Sequence, residues 1–444
     1  MHKLHGFQMA SSMMVIFMIS NKVLHIGDVF TGENPQLAAI RNTCLPGLNI
    51  ALVGRGEAVD LSTHKYAVCI YDIGALRTWL WEYSDAIEGF SVVYKLRLLD
   101  VQGDFNAMMD DLIAASRAFK SVSRWAKLKA AFTLWRLPAL TLVSNVAPFH
   151  SDLPRHSLQR DKDAVAFHYD TSNEFFEIFL SKNMLYTAGD WSRVDTPADR
   201  HTPADLDKAC EHKFDRAIEA LGDIPKDARI LDVGCGWGGS VAHLCKAGFT
   251  NVRGITISKE QVRWFNEQSE GPGVVDYLHY KELAEGETYD VIVGFQCTEH
   301  MPYDELKLFF SNMVGRLNSG GKLLLEFMTT TKVAKCHPFF DKYIFPDGAQ
   351  FPLDTVVSVS ETQQDIRLSS MYCLDKDYYY TIRQWVRQLE SQEAECVDSL
   401  RSRHGEGADE KYRSFVLYLK WAEFLYGWGR SRCYTCLWES VKKS

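Results

Sequence analysis

Hydrophobic and polar residues follow two alternating patterns over the C-terminal half of the chain. Short apolar runs typical of strands are separated by segments whose apolar positions recur with the helical period. In chain order these runs and segments are 229–233, 240–246, 252–257, 261–268, 291–295, 306–317 and 322–327. Such alternation predicts an α/β fold with a doubly wound, largely parallel sheet.

Two further regions precede this one. Residues 1–110 mix short apolar runs with glycine turns, which predicts a small mixed α/β domain. Residues 111–160 are predicted to form a helical, basic linker, and residues 161–444 the principal domain, with helical insertions in its sheet. The apolar run at 13–19 is too short to cross a bilayer, so we interpret it as a buried strand or a leader.

Composition narrows the class of protein. The chain has 444 residues, 46% of them hydrophobic and 24% charged, which excludes a disordered chain and a polytopic membrane protein. A formal net charge of -8 argues against nucleic-acid binding, because neutralising phosphates requires basic surface. The 11 cysteines follow no repeating framework, which favours reduced thiols and a cytoplasmic location. The CYTC sequence at 433–436 lacks a second cysteine pair, so we predict no metal site.

One segment is strongly basic in spite of the acidic total. Residues 112–151 contain six Lys and Arg side chains and no Asp or Glu. Four of the cations recur at helical spacing, and four aromatic side chains lie near them: Arg117, Lys120, Arg124 and Lys127, with Phe119, Trp125, Phe132 and Trp135. The stripe fits either a peripheral contact with an anionic membrane or a plain solvated helix face.

The strongest local signal is a glycine-dense turn that follows an apolar strand, DVGCGWGG at 232–239. It lacks the Gly-Lys-Ser/Thr of a phosphate loop, and its spacing differs from that of a dinucleotide fingerprint. Glycines at this place allow backbone N–H groups to approach a ligand at the carboxyl end of the first strand. The next strand ends in GITISKEQ at 254–261, which offers Thr256, Ser258 and Gln261 as polar partners.

Four sets of motifs together resemble the cyclopropane-fatty-acyl-phospholipid synthase family, which includes the mycolic acid cyclopropane synthases and methyltransferases. They are HYDTSNEFF at 168–176 with MLYTAGDW at 184–191, DVGCGWGG at 232–239 with GITISKEQ at 254–261, TEHM at 298–301, and DKYIFPDG at 341–348. The resemblance implies a class I methyltransferase fold, which is Rossmann-like, and S-adenosylmethionine as cofactor.

The resemblance also implies roles for individual residues. Tyr186 and Thr187 would contact the methionine end of the cofactor. Asp232, Gly234 and Gly236 would line the cofactor along the turn. Thr256 and Gln261 would lie near its ribose and adenine.

The chain departs from the family pattern at two positions. In the cyclopropane synthases, a bicarbonate ion is held beside the reacting carbon by a Cys, a Glu, a His and a Tyr. This chain keeps Glu299 and Tyr378, but Ala188 replaces the Cys and Glu326 replaces the His. We therefore expect the Glu326 carboxylate to replace the ion as base, and turnover to be insensitive to bicarbonate.

The candidate catalytic residues are Glu299, His300, Glu326 and Tyr378, with a structural role for His300 as the alternative. The implied function is S-adenosylmethionine-dependent C-methylation of unsaturated acyl chains of lipids, with a cyclopropane or methyl-branched product. Two alternatives stay open. A Glu at position 326 also resembles the plant alkaloid N-methyltransferases, which act on small amines, and the lost Cys and His are compatible with an inactive lipid-binding protein.

Overall fold

A computed structural model describes residues 35–83, 85–269, 271–332, 334–335 and 337–442. The apolar run at 13–19 lies outside them. The chain divides into two compact units between Val143 and Ser144. No helix among the described ranges is both long and apolar enough to cross a bilayer.

The first unit is a small α/β domain built on a three-stranded sheet of order β1-β2-β3, in which β2 pairs in parallel with β1 and antiparallel with β3. The strands are β1 (Ile50–Leu52), β2 (Tyr66–Ile70) and β3 (Leu99–Gly103). The helices are α1 (Pro35–Cys44), α2 (Gly74–Arg77), α3 (Ala86–Lys95), α4 (Phe105–Ser121) and α5 (Arg124–Arg136).

The structure differs from the predicted linker over residues 111–160. Helix α4 begins earlier, at Phe105, and buries Met108 and Leu112 within the first unit. Helix α5 packs against α1. Both helices therefore belong to the first unit and do not form a linker between two domains. Their many cations leave no clear apolar stripe in the sequence, which is why the sequence predicts a linker.

The second unit carries a seven-stranded sheet of order β11-β12-β8-β7-β4-β5-β6. Its strands are β4 (Ile230–Val233), β5 (Val252–Thr256), β6 (Val274–Tyr277), β7 (Tyr289–Phe295), β8 (Leu317–Thr330), β11 (Ile366–Cys373) and β12 (Ser431–Ser440). A separate two-stranded ribbon consists of β9 (Ala334–Lys335) and β10 (Ala349–Gln350). Strands β8, β7, β4, β5 and β6 are parallel, whereas β12 and β11 add antiparallel pairs at one edge. The predicted doubly wound, largely parallel sheet is confirmed.

Eleven α-helices accompany this sheet in the described part of the second unit: α6 (Leu158–Tyr169), α7 (Asn173–Phe179), α8 (Pro203–Leu221), α9 (Gly239–Lys246), α10 (Lys259–Gln268), α11 (Tyr303–Gly315), α12 (Pro338–Tyr343), α13 (Leu353–Glu361), α14 (Asp375–Ser391), α15 (Glu393–His404) and α16 (Ala408–Gly427). One core cluster joins Phe309 and Phe310 of α11 to Leu323 and Leu325 of β8. This packing fixes the sheet edge at which the loops after β4, β5 and β7 meet.

Candidate functional site

A cleft containing about 1300 Å³ of empty space opens at the carboxyl ends of β4, β5 and β7. Its walls include all seven residues predicted to bind the cofactor: Tyr186, Thr187, Asp232, Gly234, Gly236, Thr256 and Gln261. We call this space the cofactor cleft. The sequence therefore identified residues from three separate segments that the fold brings to one cavity.

The turn after β4 is shaped by glycines with positive φ. Gly234 has φ 70°, and a Cβ there would lie 2.6 Å from the Cβ of Cys297. Gly236 has φ 57°, and a Cβ there would meet no heavy atom of the described residues within 4 Å. Gly236 thus presents bare backbone to open space in the cleft, as close approach of a ligand requires.

Asp232 is the last but one residue of β4 and is completely buried at the wall of the cleft. One carboxylate oxygen accepts a hydrogen bond from the Ser240 hydroxyl, whereas Oδ1 has no partner among the residues that the structure describes. Burial raises the pKa of Asp232 to about 7. An unpartnered acceptor at this place fits the N–H donors and positive charge of S-adenosylmethionine.

Thr256 and Gln261 also line the cleft, at the end of β5 and the start of α10. The Thr256 hydroxyl donates to Gln261 Oε1 over 2.5 Å, and both side chains are buried. This bond fixes the amide so that its NH₂ group is the part left for a ligand.

Tyr186 and Thr187 approach the cleft from the loop after α7. Tyr186 lines both the cofactor cleft and a second cavity, and its buried hydroxyl bonds no other group in the described part of the chain. The Thr187 hydroxyl accepts a hydrogen bond from Lys213 Nζ. The loop therefore joins the cofactor cleft to a buried lysine of α8.

The second cavity contains about 490 Å³ of empty space, and we call it the acceptor cavity. It shares Tyr169, Tyr186, Gln296 and His300 with the cofactor cleft. Aromatic and apolar side chains form most of the remaining wall: Met328, Phe345, Tyr378, Ile382, Trp385, Tyr418, Leu419, Ala422 and Tyr426. Three of the four predicted catalytic residues, Glu299, His300 and Tyr378, line this cavity.

Glu299 is the one carboxylate among the described residues of the acceptor cavity wall. Its Oε1 accepts a hydrogen bond from the backbone N–H of Met328 over 2.9 Å, and its buried Oε2 has no partner within the described ranges of the chain. Burial, with a smaller contribution from the charge of Glu326, raises the pKa of Glu299 to about 7. The carboxylate is therefore fixed in direction and poorly solvated.

The ring of His300 has a defined tautomer. Its Nδ1 lies 3.1 Å from the carbonyl oxygen of Pro346, so Nδ1 carries the proton and donates it. Burial lowers the pKa of His300, so the ring is neutral at pH 7. No described side chain or backbone group bonds Nε2, which leaves this nitrogen as an acceptor in a residue that lines both cavities.

Glu326 lies elsewhere than the sequence predicted. It lines neither cavity, and its Oε1 is 2.9 Å from Lys213 Nζ, with both side chains buried. The Gln296 amide also donates to this oxygen over 2.9 Å. The ion pair and the intervening amide separate Glu326 from the cavity, so the geometry does not fit a carboxylate that faces the acceptor as base.

Tyr378 and Glu326 are joined through Gln296. The Tyr378 hydroxyl donates to Gln296 Oε1 over 2.8 Å, and Gln296 Nε2 donates to Glu326. Gln296 has φ 57°, a conformation that costs a non-glycine residue about 1 kcal/mol or more. The chain Thr187, Lys213, Glu326, Gln296, Tyr378 thus connects the cofactor cleft to the acceptor cavity, and we call it the buried polar chain.

Several residues of the site are not predicted by the sequence pattern. Lys213 lies on the apolar face of α8, between the buried Cys210 and Ala217. A charged residue at an apolar helix position is visible in the sequence and indicates a buried partner. Gln296 gave no signal, because its role depends on a backbone conformation. Asp161, His156 and His279 also line the cleft. His156 Nδ1 lies 3.5 Å from one carboxylate oxygen of Asp161, and His279 Nε2 lies 3.5 Å from the other.

Comparison with known proteins assigns the family. The model of the mycolic acid cyclopropane synthetase family matches residues 156–434. A probable fatty acid methyltransferase of Mycobacterium tuberculosis is 31% identical over 244 residues, covering 53% of this chain and 54% of the relative. The cyclopropane-fatty-acyl-phospholipid synthase of Escherichia coli is 27% identical over 238 residues, covering 53% of this chain and 59% of the relative. The chain thus spans less than two thirds of the length of these relatives.

A solved structure supports the fold. A mycolic acid cyclopropane synthase complexed with SAH and CTAB aligns with a TM-score of 0.54 and 23% identity, over 65% of this chain and 100% of that one. This likeness confirms the predicted class I methyltransferase fold, and the family model confirms the predicted family and with it the cofactor. Since the family model covers more than half of its residues, this chain belongs to the mycolic acid cyclopropane synthetase family, whose cofactor is S-adenosylmethionine.

Proposed function

We propose that this chain is an S-adenosylmethionine-dependent C-methyltransferase that acts on an unsaturated acyl chain of a lipid. The observation that supports this function best is the acceptor cavity, which adjoins the cofactor cleft and combines aromatic and apolar walls with one buried carboxylate. An acyl chain needs apolar walls, and a double bond under attack by an electrophile needs one negative group nearby.

The cofactor supplies, when bound, a sulfonium methyl group that is already a strong electrophile. Asp232, Thr256 and Gln261 would hold its polar parts, and the bare backbone at Gly236 would admit it to the turn. Tyr186 stands between the two cavities, so its ring aligns the acceptor against the methyl donor. Alignment and exclusion of water are the main catalytic contributions that the chain must make to this reaction.

Glu299 stabilises the transition state. When one alkene carbon bonds to the methyl carbon, the electron pair of the double bond forms the new bond and positive charge develops on the other alkene carbon. The bond from sulfur to that methyl group would break, and its electron pair would stay on sulfur. The unpartnered Oε2 of Glu299 and the faces of the Tyr426 and Trp385 rings are the groups that can meet this charge. The Met328 N–H holds the carboxylate in place.

His300 completes the reaction by taking up a proton. Loss of a proton from the transferred carbon closes a cyclopropane ring, and His300 Nε2 is a neutral acceptor that lies at the wall shared by both cavities. Its Nδ1–H bond to Pro346 stabilises the imidazolium that forms. Tyr378 and Glu326 act through the buried polar chain as positioning residues.

The test is methyl transfer by the purified full chain to dispersed phospholipids with unsaturated or saturated acyl chains. We expect unsaturated acyl groups to gain the mass of one CH₂ group, and saturated ones to gain none. Ala422→Phe, which fills the acceptor cavity, should abolish transfer and leave cofactor affinity unchanged. Ala394→Phe on the exposed side of α15 is the matched control.

Two results would overturn the proposal. Methylation of small amines in place of lipids would assign the cavity to N-methylation. Tight cofactor binding without transfer to any acceptor would leave a lipid-binding protein.

A further inference from the structure

Helix α5 of the first unit exposes an apolar face. Four of its large side chains are more than half accessible to solvent: Trp125 at 83%, Leu128 at 61%, Phe132 at 56% and Trp135 at 54%. We call these four residues the aromatic face. Phe132 and Trp135 stack with ring centroids 5.9 Å apart, so at least these two side chains form one contiguous exposed patch.

The arrangement of α5 has two apolar sides. Ala130 and Leu134 are buried in the first unit, and the aromatic face lies on the opposite side of the helix. At about 100° per residue, the four exposed side chains fall within an arc of about 80°. One buried apolar side is sufficient to hold a surface helix in its domain. The exposed aromatic face is therefore not explained by folding and suggests contact with another partner.

Positive charge borders the aromatic face. Lys129 and Arg136 project within about 40° of one edge, and Arg124 within about 20° of the other. The Arg136 guanidinium lies 5.7 Å from the centre of the Phe132 ring. Residues 112–151 contain no Asp or Glu, so the cations next to the face meet no carboxylate from this segment.

We propose that the aromatic face of α5 docks on an anionic lipid bilayer. Tryptophan and phenylalanine rings favour the boundary between headgroups and acyl chains, and flanking cations favour anionic headgroups. A helix of 13 residues is about 20 Å long, which fits a helix lying in the plane of the surface and is too short to span the core. The choice of a lipid surface rests on the proposed function, which places the acceptor in lipid.

The experiment is co-sedimentation of the full chain with vesicles of phosphatidylcholine alone or mixed with phosphatidylglycerol. Trp125→Ser with Trp135→Ser removes the rings and keeps every charge. Lys129→Glu with Arg136→Glu reverses two cations and keeps the rings. The matched controls are Leu308→Ser, at an exposed apolar residue of α11, and Arg200→Glu with Arg401→Glu, which makes the same change in net charge.

We expect binding to phosphatidylglycerol vesicles that weakens as salt rises. The charge variant should bind at least about 30-fold more weakly, since each cation near an anionic surface contributes about a factor of five. The ring variant should lose a similar amount, because two large apolar surfaces no longer leave water. The controls should bind as the unaltered chain does. All variants should keep the same Tm and cofactor affinity, because the altered side chains are exposed.

Three results would overturn the docking surface: equal binding by both variants, equal binding to neutral vesicles, or no binding together with a changed oligomeric state in the ring variant, which would assign the face to a second copy of the chain. The proposed function fails separately. It fails if detergent-dispersed unsaturated phospholipid is not methylated, whatever the result with vesicles.

Discussion

Lys213 Nζ lies 2.9 Å from Glu326 Oε1, and both side chains are almost completely inaccessible to solvent. Lys213 also donates to Thr187 at the cofactor cleft, while Glu326 accepts from Gln296 at the acceptor cavity. One buried ion pair therefore supports the walls of both cavities. This geometry supports a positioning role for Glu326 within the buried polar chain, in place of the predicted role of base.

The first prediction separates these two roles of Glu326. Glu326→Gln keeps the shape and the acceptor oxygen, so turnover should fall less than about tenfold, whereas removal of a general base costs about 10²-fold or more. Lys213→Met leaves the carboxylate unpaired and should lower the free energy of unfolding by about 3–5 kcal/mol. Steady-state kinetics and thermal denaturation measure the two effects. A loss of 10²-fold in Glu326→Gln, measured at a temperature at which this variant is fully folded, would restore the role of base.

The sequence predicted more of the cofactor cleft than of this ion pair, for a physical reason. The glycine turn at 232–239 and the strand end at 254–261 are local patterns, and each determines its own backbone shape. The partner of Glu326 is 113 residues away in the chain, so its identity depends on how α8 packs on β8. No pattern within either segment contains that information.

Two differences between the predicted and the observed fold have a similar physical origin. The sequence does not predict strand β6 (Val274–Tyr277). This strand lies at the sheet edge with Val274 about half exposed, so its sequence lacks the continuous apolar run of a buried strand. The sequence of α4 and α5 predicts a linker because cations and exposed aromatic rings outnumber the few side chains, such as Leu134, that are buried in the first unit. The composition of these helices mainly reflects the side chains on their solvent-facing side.

The second prediction concerns catalysis by Glu299. Glu299→Gln should lower kcat by about 10²-fold or more while cofactor affinity stays within about twofold, since the lost charge acts on the transition state. Since burial raises the pKa of Glu299 to about 7, kcat/KM should rise with pH through about 7 as the carboxylate ionises. Rates measured across pH test this. A profile of the same shape in Glu299→Gln would assign the titration to another group.

The third prediction is a pH-dependent stability of the same variant. Glu299 has a pKa of about 7 in the folded chain against an ordinary value of 4.5, so it binds its proton more tightly when folded. Its ionisation therefore favours unfolding, and the cost is absent below the lower value and complete above the higher one. Glu299→Gln should be about 3 kcal/mol more stable than the unaltered chain at pH above 7, and this difference should vanish as the pH falls to about 4.5. A pH series of urea denaturation curves would contradict this if the difference were constant.

The fourth prediction tests the glycine turn against a matched glycine. Gly236→Val and Gly286→Val both place a β-branched residue at positive φ, and neither Cβ meets a heavy atom within 4 Å. Both should lower Tm by a similar amount, because the backbone strain is similar. Only Gly236 lines the cofactor cleft, so only Gly236→Val should weaken S-adenosylmethionine binding, by about tenfold or more in titration calorimetry. Equal affinities in the two variants would remove Gly236 from the cofactor site.

The last prediction is that turnover does not depend on bicarbonate. Of the four positions at which the cyclopropane synthases hold this ion, only Glu299 and Tyr378 line the acceptor cavity, whereas Ala188 and Glu326 line neither cavity. The described residues of that wall include one carboxylate and neither Lys nor Arg, so an anion there would meet repulsion without a compensating cation. The residues present therefore do not fit the ion, and His300 Nε2 is the proton acceptor that the wall provides. Rates in carbonate-depleted buffer should equal those after bicarbonate is added back. A rate that falls on depletion, recovers on addition and loses this response in Tyr378→Phe would show that the ion is bound after all.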